Sequence, residues 1–161
     1  MLEPSEDDDG IIDHIHYCDG EGANSLRQEA GGSLNPASHE TVDKKMHFLY
    51  QDGKPVFKAA VTGMADVSYE IMERNGLTGD DVAWLVPHQA NLRIIKSTAK
   101  KMSVPMEKVV LTVQDHGNTS AASIPLALSV AVKNGKIKKN DLILTEAIGG
   151  GLAWGAVVFR W

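Results

Sequence analysis

Three short segments of this sequence contain residue types that could do chemistry. The first runs from Val86 to Asn91 and contains His88, and the second runs from His116 to Ala121 and contains Asn118. The third is the triple glycine Gly149–Gly151. A neutral imidazole and a carboxamide can each donate a hydrogen bond to a carbonyl oxygen. Consecutive glycines let the backbone approach a ligand closely and expose its N–H groups.

Each segment also has a purely structural interpretation. His88 could cap or pack, the run His-Gly-Asn around Asn118 is good turn chemistry, and three glycines can form a tight hairpin. The glycines do not follow the dinucleotide or P-loop fingerprints. Function is favoured because His88 and Asn118 both follow predicted strands, at the sheet edge where α/β proteins bind ligands. A helix is predicted to begin directly after His88, and its N-terminus would disfavour the imidazolium.

A basic cluster lies shortly after His88. Arg93, Lys96, Lys100 and Lys101 have the spacing of residues that share one helix face. Such a face beside a pocket would attract phosphate or an acidic partner. The alternative is an ordinary solvated helix surface.

The elements that would position these residues follow from apolar periodicity. We predict helices at about 54–75, 89–102 and 120–133, and strands at 82–86, 109–113, 142–145 and 154–159. The alternation indicates an α/β fold with a mostly parallel sheet, helices on both faces and a terminal antiparallel hairpin. The helix at 120–133 is apolar almost all round, which predicts that it is buried.

Composition excludes several classes of protein. The 161 residues suffice for one domain, with 43% hydrophobic and 23% charged residues, as in globular proteins. The net charge of −5 argues against nucleic-acid binding. No apolar stretch approaches the roughly 20 residues of a membrane span, and the acidic start is unlike a secretory signal. The single cysteine, Cys18, suits a reducing cytoplasm, which is the location we expect.

Taken together, these motifs resemble a known family. The residues Pro-His-Gln-Ala-Asn at 87–91, with Arg93 next but one, are similar to part of the C-terminal signature of β-ketoacyl-acyl-carrier-protein synthase III. So are His-Gly-Asn-Thr-Ser-Ala-Ala-Ser at 116–123, Gly-Gly-Gly-Leu-Ala-Trp-Gly at 149–155, and Asp-Gly at 19–20. Three ordered motifs with family-like spacing make the resemblance specific over nearly the whole chain.

The resemblance implies a thiolase fold, built from two similar α/β halves, in a homodimeric transferase of fatty-acid biosynthesis. In the family, an acyl-CoA acylates a cysteine of the N-terminal half, and malonyl-acyl-carrier protein then loses carbon dioxide and attacks the acyl group. Residues 1–161 would form the C-terminal domain, and the N-terminal catalytic-cysteine domain would be absent. The chain alone is therefore expected to be inactive.

The resemblance also assigns roles. His88 and Asn118 would hydrogen-bond the malonyl thioester carbonyl, and Gly150 would give a backbone N–H to the oxyanion hole. Asn91 would contact the pantetheine arm. The positions expected to meet the acidic acyl-carrier protein are Lys58, Arg93, Lys100 and Lys101. No metal and no cofactor are expected, since CoA and carrier-protein thioesters are substrates.

Cys18 and Ile148 also bear on the activity, and the sequence allows other functions for the chain. Cys18 lacks the strand-to-helix setting that lowers a thiol pKa, so we expect it not to replace the nucleophile. Ile148 stands where the family often has an aromatic residue, which leaves acyl-chain length open. The chain could instead be a non-catalytic subunit that pairs with a separately encoded half, or a carrier-protein-binding module. It could also come from a related condensing enzyme of secondary metabolism.

Overall fold

The computed structural model describes residue 4 and residues 9–161, so most of the acidic start of the sequence lies outside it. The strands are β1 Gly10–Cys18, β2 Leu26–Gln28, β3 Leu49–Gln51, β4 Trp84–Pro87, β5 Leu142–Gly149 and β6 Ala153–Arg160. The α-helices are α1 His39–Asp43, α2 Gly53–Arg74, α3 Leu92–Lys101, α4 Val113–His116 and α5 Ser123–Lys133. None of the helices in this described part has both the length and the apolar character needed to cross a bilayer.

The main sheet has the strand order β1–β6–β5–β4. Strands β5 and β6 form the predicted antiparallel hairpin, β1 adds antiparallel to β6, and β4 runs parallel to β5. Gly155 allows β1 to approach β6, because a Cβ at this position would lie 2.6 Å from the carbonyl oxygen of Ile15. The sheet is therefore mixed, and its parallel part is the edge that leads to His88.

The strand predicted at 109–113 is wrong beyond its first residues. Val109 forms an isolated parallel bridge with Leu85, and the neighbouring Val110 N–H donates to the Leu85 carbonyl at 2.9 Å. The chain then turns into α4. It can leave the sheet here because the buried Gln89 side chain accepts the hydrogen bonds that its backbone N–H groups would otherwise make to a strand. Gln89 Oε1 accepts from the N–H groups of Thr112 at 2.9 Å and Val113 at 3.1 Å. A side-chain amide thus replaces the next strand pairing.

Helices cover both faces of the sheet, as predicted. On one face, α2 and α3 contribute Ile71 and Ile95 to a core with Leu85 and Leu144. On the other face, α5 packs on a smaller cluster that includes Ile143. Alternate side chains of each strand supply the two clusters, as the period of two in a β-strand requires.

The burial expected for the helix at 120–133 is wrong for this chain. Only Ser123, Ala127 and Ala131 of α5 are buried, and Leu126 is 37% exposed. These three residues are spaced by four, so one stripe of the helix faces the sheet. The opposite apolar side of α5 has no covering layer within the described residues.

Candidate functional site

His88 lies just past the end of β4. Its backbone N–H donates to the Glu146 carbonyl on β5 at 2.8 Å, which continues the parallel pairing by one residue. Its Nδ1 lies 2.6 Å from the hydroxyl oxygen of Ser123, the first residue of α5. Burial lowers the pKa of the His88 imidazole below its ordinary value. The imidazole is therefore neutral at neutral pH.

The cause of this pKa shift differs from the one expected. The sequence suggested a helix N-terminus beside His88, but α3 begins at Leu92 and Asn91 caps it. Desolvation, rather than the helix dipole, is what disfavours the imidazolium. When the Ser123 hydroxyl donates to Nδ1, the ring hydrogen lies on Nε2, which can then donate to a ligand.

Asn118 departs from the sequence prediction in its setting. It follows α4 and Gly117 rather than a strand, and it is exposed. Its Oδ1 accepts from the Ser120 N–H at 2.9 Å, which fixes the orientation of the amide. Because the oxygen faces the backbone, the Nδ2 hydrogens are left available for a ligand carbonyl.

Gly150 lies in the short turn between β5 and β6. A Cβ at this position would lie 3.2 Å from the carbonyl oxygen of Leu26, so any side chain would press on the segment that crosses the turn. The absence of a side chain therefore lets the Gly150 backbone lie close to Leu26.

These residues share one pocket. His88, Asn118 and Gly150 all line a cavity of about 680 Å³, together with Ser123. Most of the surface of this cavity is apolar, and its large hydrophobic side chains are Leu26, Leu49, Ile124, Ile148 and Trp154. The volume fits a small-molecule site. Three residues that are far apart in the sequence therefore converge as donors at the edge of an apolar cavity.

The other predicted site residues lie outside this cavity. Asn91 is the N-cap of α3, where its Oδ1 accepts from the Arg93 N–H at 2.8 Å. The four basic positions are exposed, with Lys58 on α2 and Arg93, Lys100 and Lys101 on α3. The structure therefore separates a donor pocket from a basic helix surface.

The sequence reasoning missed Ser123 and a buried carboxyl, Glu146. Glu146 is 1% exposed, and its Oε2 accepts from the Ser68 hydroxyl of α2 at 2.7 Å. Its Oε1 is buried without a hydrogen-bond partner among the described residues. Burial raises the pKa of Glu146 to about 7, while the Ser68 hydrogen bond opposes the rise. The sequence offered one signal for Glu146, because it is an acid inside a mostly apolar strand.

Two kinds of chemistry find no support in the described residues. No group of three or more His, Cys, Asp or Glu side chains comes together there in a way that could hold a metal ion. Cys18 is exposed at the end of β1, opposite Ala153, and it does not line the cavity.

A mixed α/β sheet with helices on both faces and a terminal antiparallel hairpin is the fold of a thiolase-like half-molecule. Comparison with known proteins agrees. Residues 72–161 match the family model described as 3-oxoacyl-[acyl-carrier-protein (ACP)] synthase III C terminal. The chain belongs to the β-ketoacyl-acyl-carrier-protein synthase III family.

Individual relatives show the extent of the match. The β-ketoacyl-[acyl-carrier-protein] synthases III of Chlorobium chlorochromatii and Koribacter versatilis are 52% and 49% identical to it over its whole length. The crystal structure of 3-oxoacyl-[acyl-carrier-protein] synthase III from Aquifex aeolicus is 40% identical, with a TM-score of 0.85. That match covers 98% of this chain and 46% of the other. The chain spans about half the length of the curated relatives it matches.

Proposed function

We propose that this chain supplies the malonyl-activating half of a β-ketoacyl-acyl-carrier-protein synthase III. The observation that carries the proposal is the convergence of His88, Asn118 and Gly150 on one cavity. The reaction would be a decarboxylative Claisen condensation of an acyl-CoA with malonyl-acyl-carrier protein in fatty-acid synthesis. Family membership supports this reaction class.

The donor pair suits the decarboxylation step. When the malonyl C–C bond breaks, its electrons move onto the thioester as an enolate and carbon dioxide leaves. His88 Nε2–H and the Asn118 amide would donate to the enolate oxygen, where the charge develops. Donors placed before the charge forms are among the strongest contributions to catalysis. A neutral His88 is required, because it must stay a donor without giving up its proton.

The condensation step needs a cysteine, which we place in the other half of the enzyme. The enolate carbon attacks an acyl thioester on a cysteine, the C–S bond breaks, and the thiolate leaves. The backbone N–H of Gly150 would stabilise the tetrahedral oxyanion in this step. We assign the cysteine to the part of the relatives that this chain does not cover. The uncovered apolar side of α5 supports docking of that part here.

Substrate delivery would use the basic surface of α2 and α3 and the start of α3. The acyl-carrier protein would approach the basic positions on α2 and α3, and Asn91 would meet the pantetheine arm near the start of α3. No metal or further cofactor takes part in this scheme, and the assembled enzyme would be a cytoplasmic homodimer. The length of the acyl chain would depend on Ile148 and on residues of the other half.

Complementation tests the proposal. The chain would be co-expressed with the N-terminal half of the Chlorobium chlorochromatii relative, and condensation of acetyl-CoA with malonyl-acyl-carrier protein would be measured. We expect activity with both halves together and none with either half alone. His88→Ala and Asn118→Ala should each lower the rate by about a hundredfold or more, while the exposed Glu107→Gln should not.

Other outcomes separate the alternatives. Activity of the chain alone would refute the assignment of the nucleophile to the other half and would direct attention to Cys18. Binding of carrier protein without activity in the complemented pair would favour a non-catalytic subunit. Full activity in both donor variants would refute the roles of His88 and Asn118.

A further inference from the structure

The basic surface on α2 and α3 is not uniform along its length. Two contacts relate the helices: Arg93 at the start of α3 meets Phe57 near the start of α2, and Lys101 at the end of α3 meets Asp66 further along α2. The two helices therefore run side by side in the same direction. One end of the surface lies near Phe57, and the other lies near Asp66.

The first end presents unneutralised positive charge. The Arg93 guanidinium carbon stands 5.8 Å from the centre of the Phe57 ring, and Lys58 follows on the same helix. Within the described residues, no carboxylate forms a salt bridge with either basic side chain. Stacking on an aromatic face holds a guanidinium in place and leaves its N–H groups free for an acidic partner.

At the second end, Lys101 is internally neutralised, while the exposed Lys100 beside it forms no salt bridge within the described residues. The Lys101 ammonium lies 2.5 Å from Asp66 Oδ1, although both side chains are substantially exposed. Lys101 also lines a groove of about 280 Å³ with Asp66, Glu70 and Glu73. These acids follow one another at intervals of four and three along α2, so they share one face. An approaching acidic protein would meet repulsion here rather than attraction.

We propose that Asp66 withholds Lys101 from the acidic carrier protein, so that docking depends on Lys58, Arg93 and Lys100, and the Asp66–Lys101 pair holds affinity below what the basic surface could give. This inference rests on the proposed function for its partner. It changes the expected set of four carrier-protein contacts at one position, because Lys101 would contact the carrier protein only when the Asp66 carboxylate is removed.

A double-mutant cycle tests this assignment on the 161-residue chain. Binding of holo-acyl-carrier protein would be measured by calorimetry at low salt for the native chain, Asp66→Asn, Lys101→Ala and the double variant. We expect Asp66→Asn to tighten binding about two- to fivefold, the usual effect of one exposed charge pair. Lys101→Ala alone should change the affinity little, and in the Asp66→Asn background it should abolish the gain.

Two control variants make the test specific. Glu40→Gln removes the acid from another exposed lysine pair, Glu40–Lys44, with the same change in net charge. It should not tighten binding, whereas an equal gain in both variants would refute the proposal in favour of a general charge effect. Arg93→Glu should weaken binding at least tenfold.

The outcomes also separate this inference from the function on which it rests. If Arg93→Glu weakens binding but Asp66→Asn has no effect, the inference fails and carrier-protein docking stands. If the folded native chain does not bind carrier protein, or if Arg93→Glu has no effect, docking at this surface fails and the inference fails with it. Raising the salt concentration should shrink the Asp66→Asn gain, since the pair is exposed.

Discussion

The two faces of the main sheet differ in how completely they are covered. On the α2–α3 face, Val67 and Ile71 are almost fully buried in a large core. On the α5 face, the buried cluster is smaller, and the cavity with His88 and Asn118 opens beside the helix. The closed face contains the larger buried core, while the open face contains the candidate site. A site built on an open face needs a second layer before water is excluded from it.

The largest expected effect comes from the closed face. Ile71→Ala removes a side chain with 0% exposure from the main core. We expect the free energy of unfolding to fall by about 4 kcal/mol, because both the transfer of the side chain and the cavity left behind oppose folding. Urea unfolding followed by circular dichroism would measure it. A loss below about 1 kcal/mol would show that this face is not the stabilising core.

The next effect concerns Glu146, the buried acid between the sheet and α2. Burial raises its pKa from 4.5 to about 7, so the folded chain keeps a proton that the unfolded chain releases. The stability gained from the neutral carboxyl is complete below about pH 4.5 and is lost as the pH rises to about 7. The total loss over this window is about 3 kcal/mol.

Glu146→Gln should remove that pH dependence. Its free energy of unfolding should fall less than that of the native chain between about pH 5 and about pH 8. The exposed Glu107→Gln serves as the control for loss of one carboxyl and should behave like the native chain. Equal pH dependence in the Glu146 variant and the native chain would mean that this carboxyl ionises normally.

Sequence patterns predicted the closed face better than the open one. The helix expected at 54–75 is observed at Gly53–Arg74, because its apolar residues recur at helical spacing and pack on a complete core. The predicted strand at 109–113 failed because one buried side chain, Gln89, took over the backbone hydrogen bonds of Thr112 and Val113. No periodicity signals such a substitution, since it depends on a contact across more than 20 residues.

The sequence singled out residues that lie together, but it did not predict their surroundings. The motifs named His88, Asn118 and Gly150, and the structure brings all three to one cavity. The exposure of Asn118 could not be predicted, because burial depends on whether a second layer is present. The contact between Ser123 and His88 also escaped prediction, since the two residues are 35 positions apart.

A smaller effect is expected from the contact between Ser123 and His88. Ser123→Ala removes the hydroxyl that lies 2.6 Å from Nδ1 and leaves the imidazole free to adopt the wrong tautomer. In the complemented enzyme we expect kcat to fall about tenfold, a loss typical of one hydrogen bond. Ser123→Thr should recover part of the rate, and the exposed Glu107→Gln should retain all of it. An unchanged kcat in Ser123→Ala would show that the hydroxyl does not position His88.

The smallest effect tests the open face directly. Leu126 lies on α5 with 37% exposure, so truncation to alanine removes little buried surface from the chain alone. Leu126→Ala should therefore cost less than about 1 kcal/mol in urea unfolding, far less than Ile71→Ala. If the other half of the enzyme covers this side of α5, the same variant should weaken association of the two halves severalfold. Measuring both quantities separates a surface residue from an interface residue. Only at an interface residue does the free-energy cost of the substitution grow when the other half of the enzyme is present. A cost that stays equal with and without the other half would place the contact between the halves elsewhere.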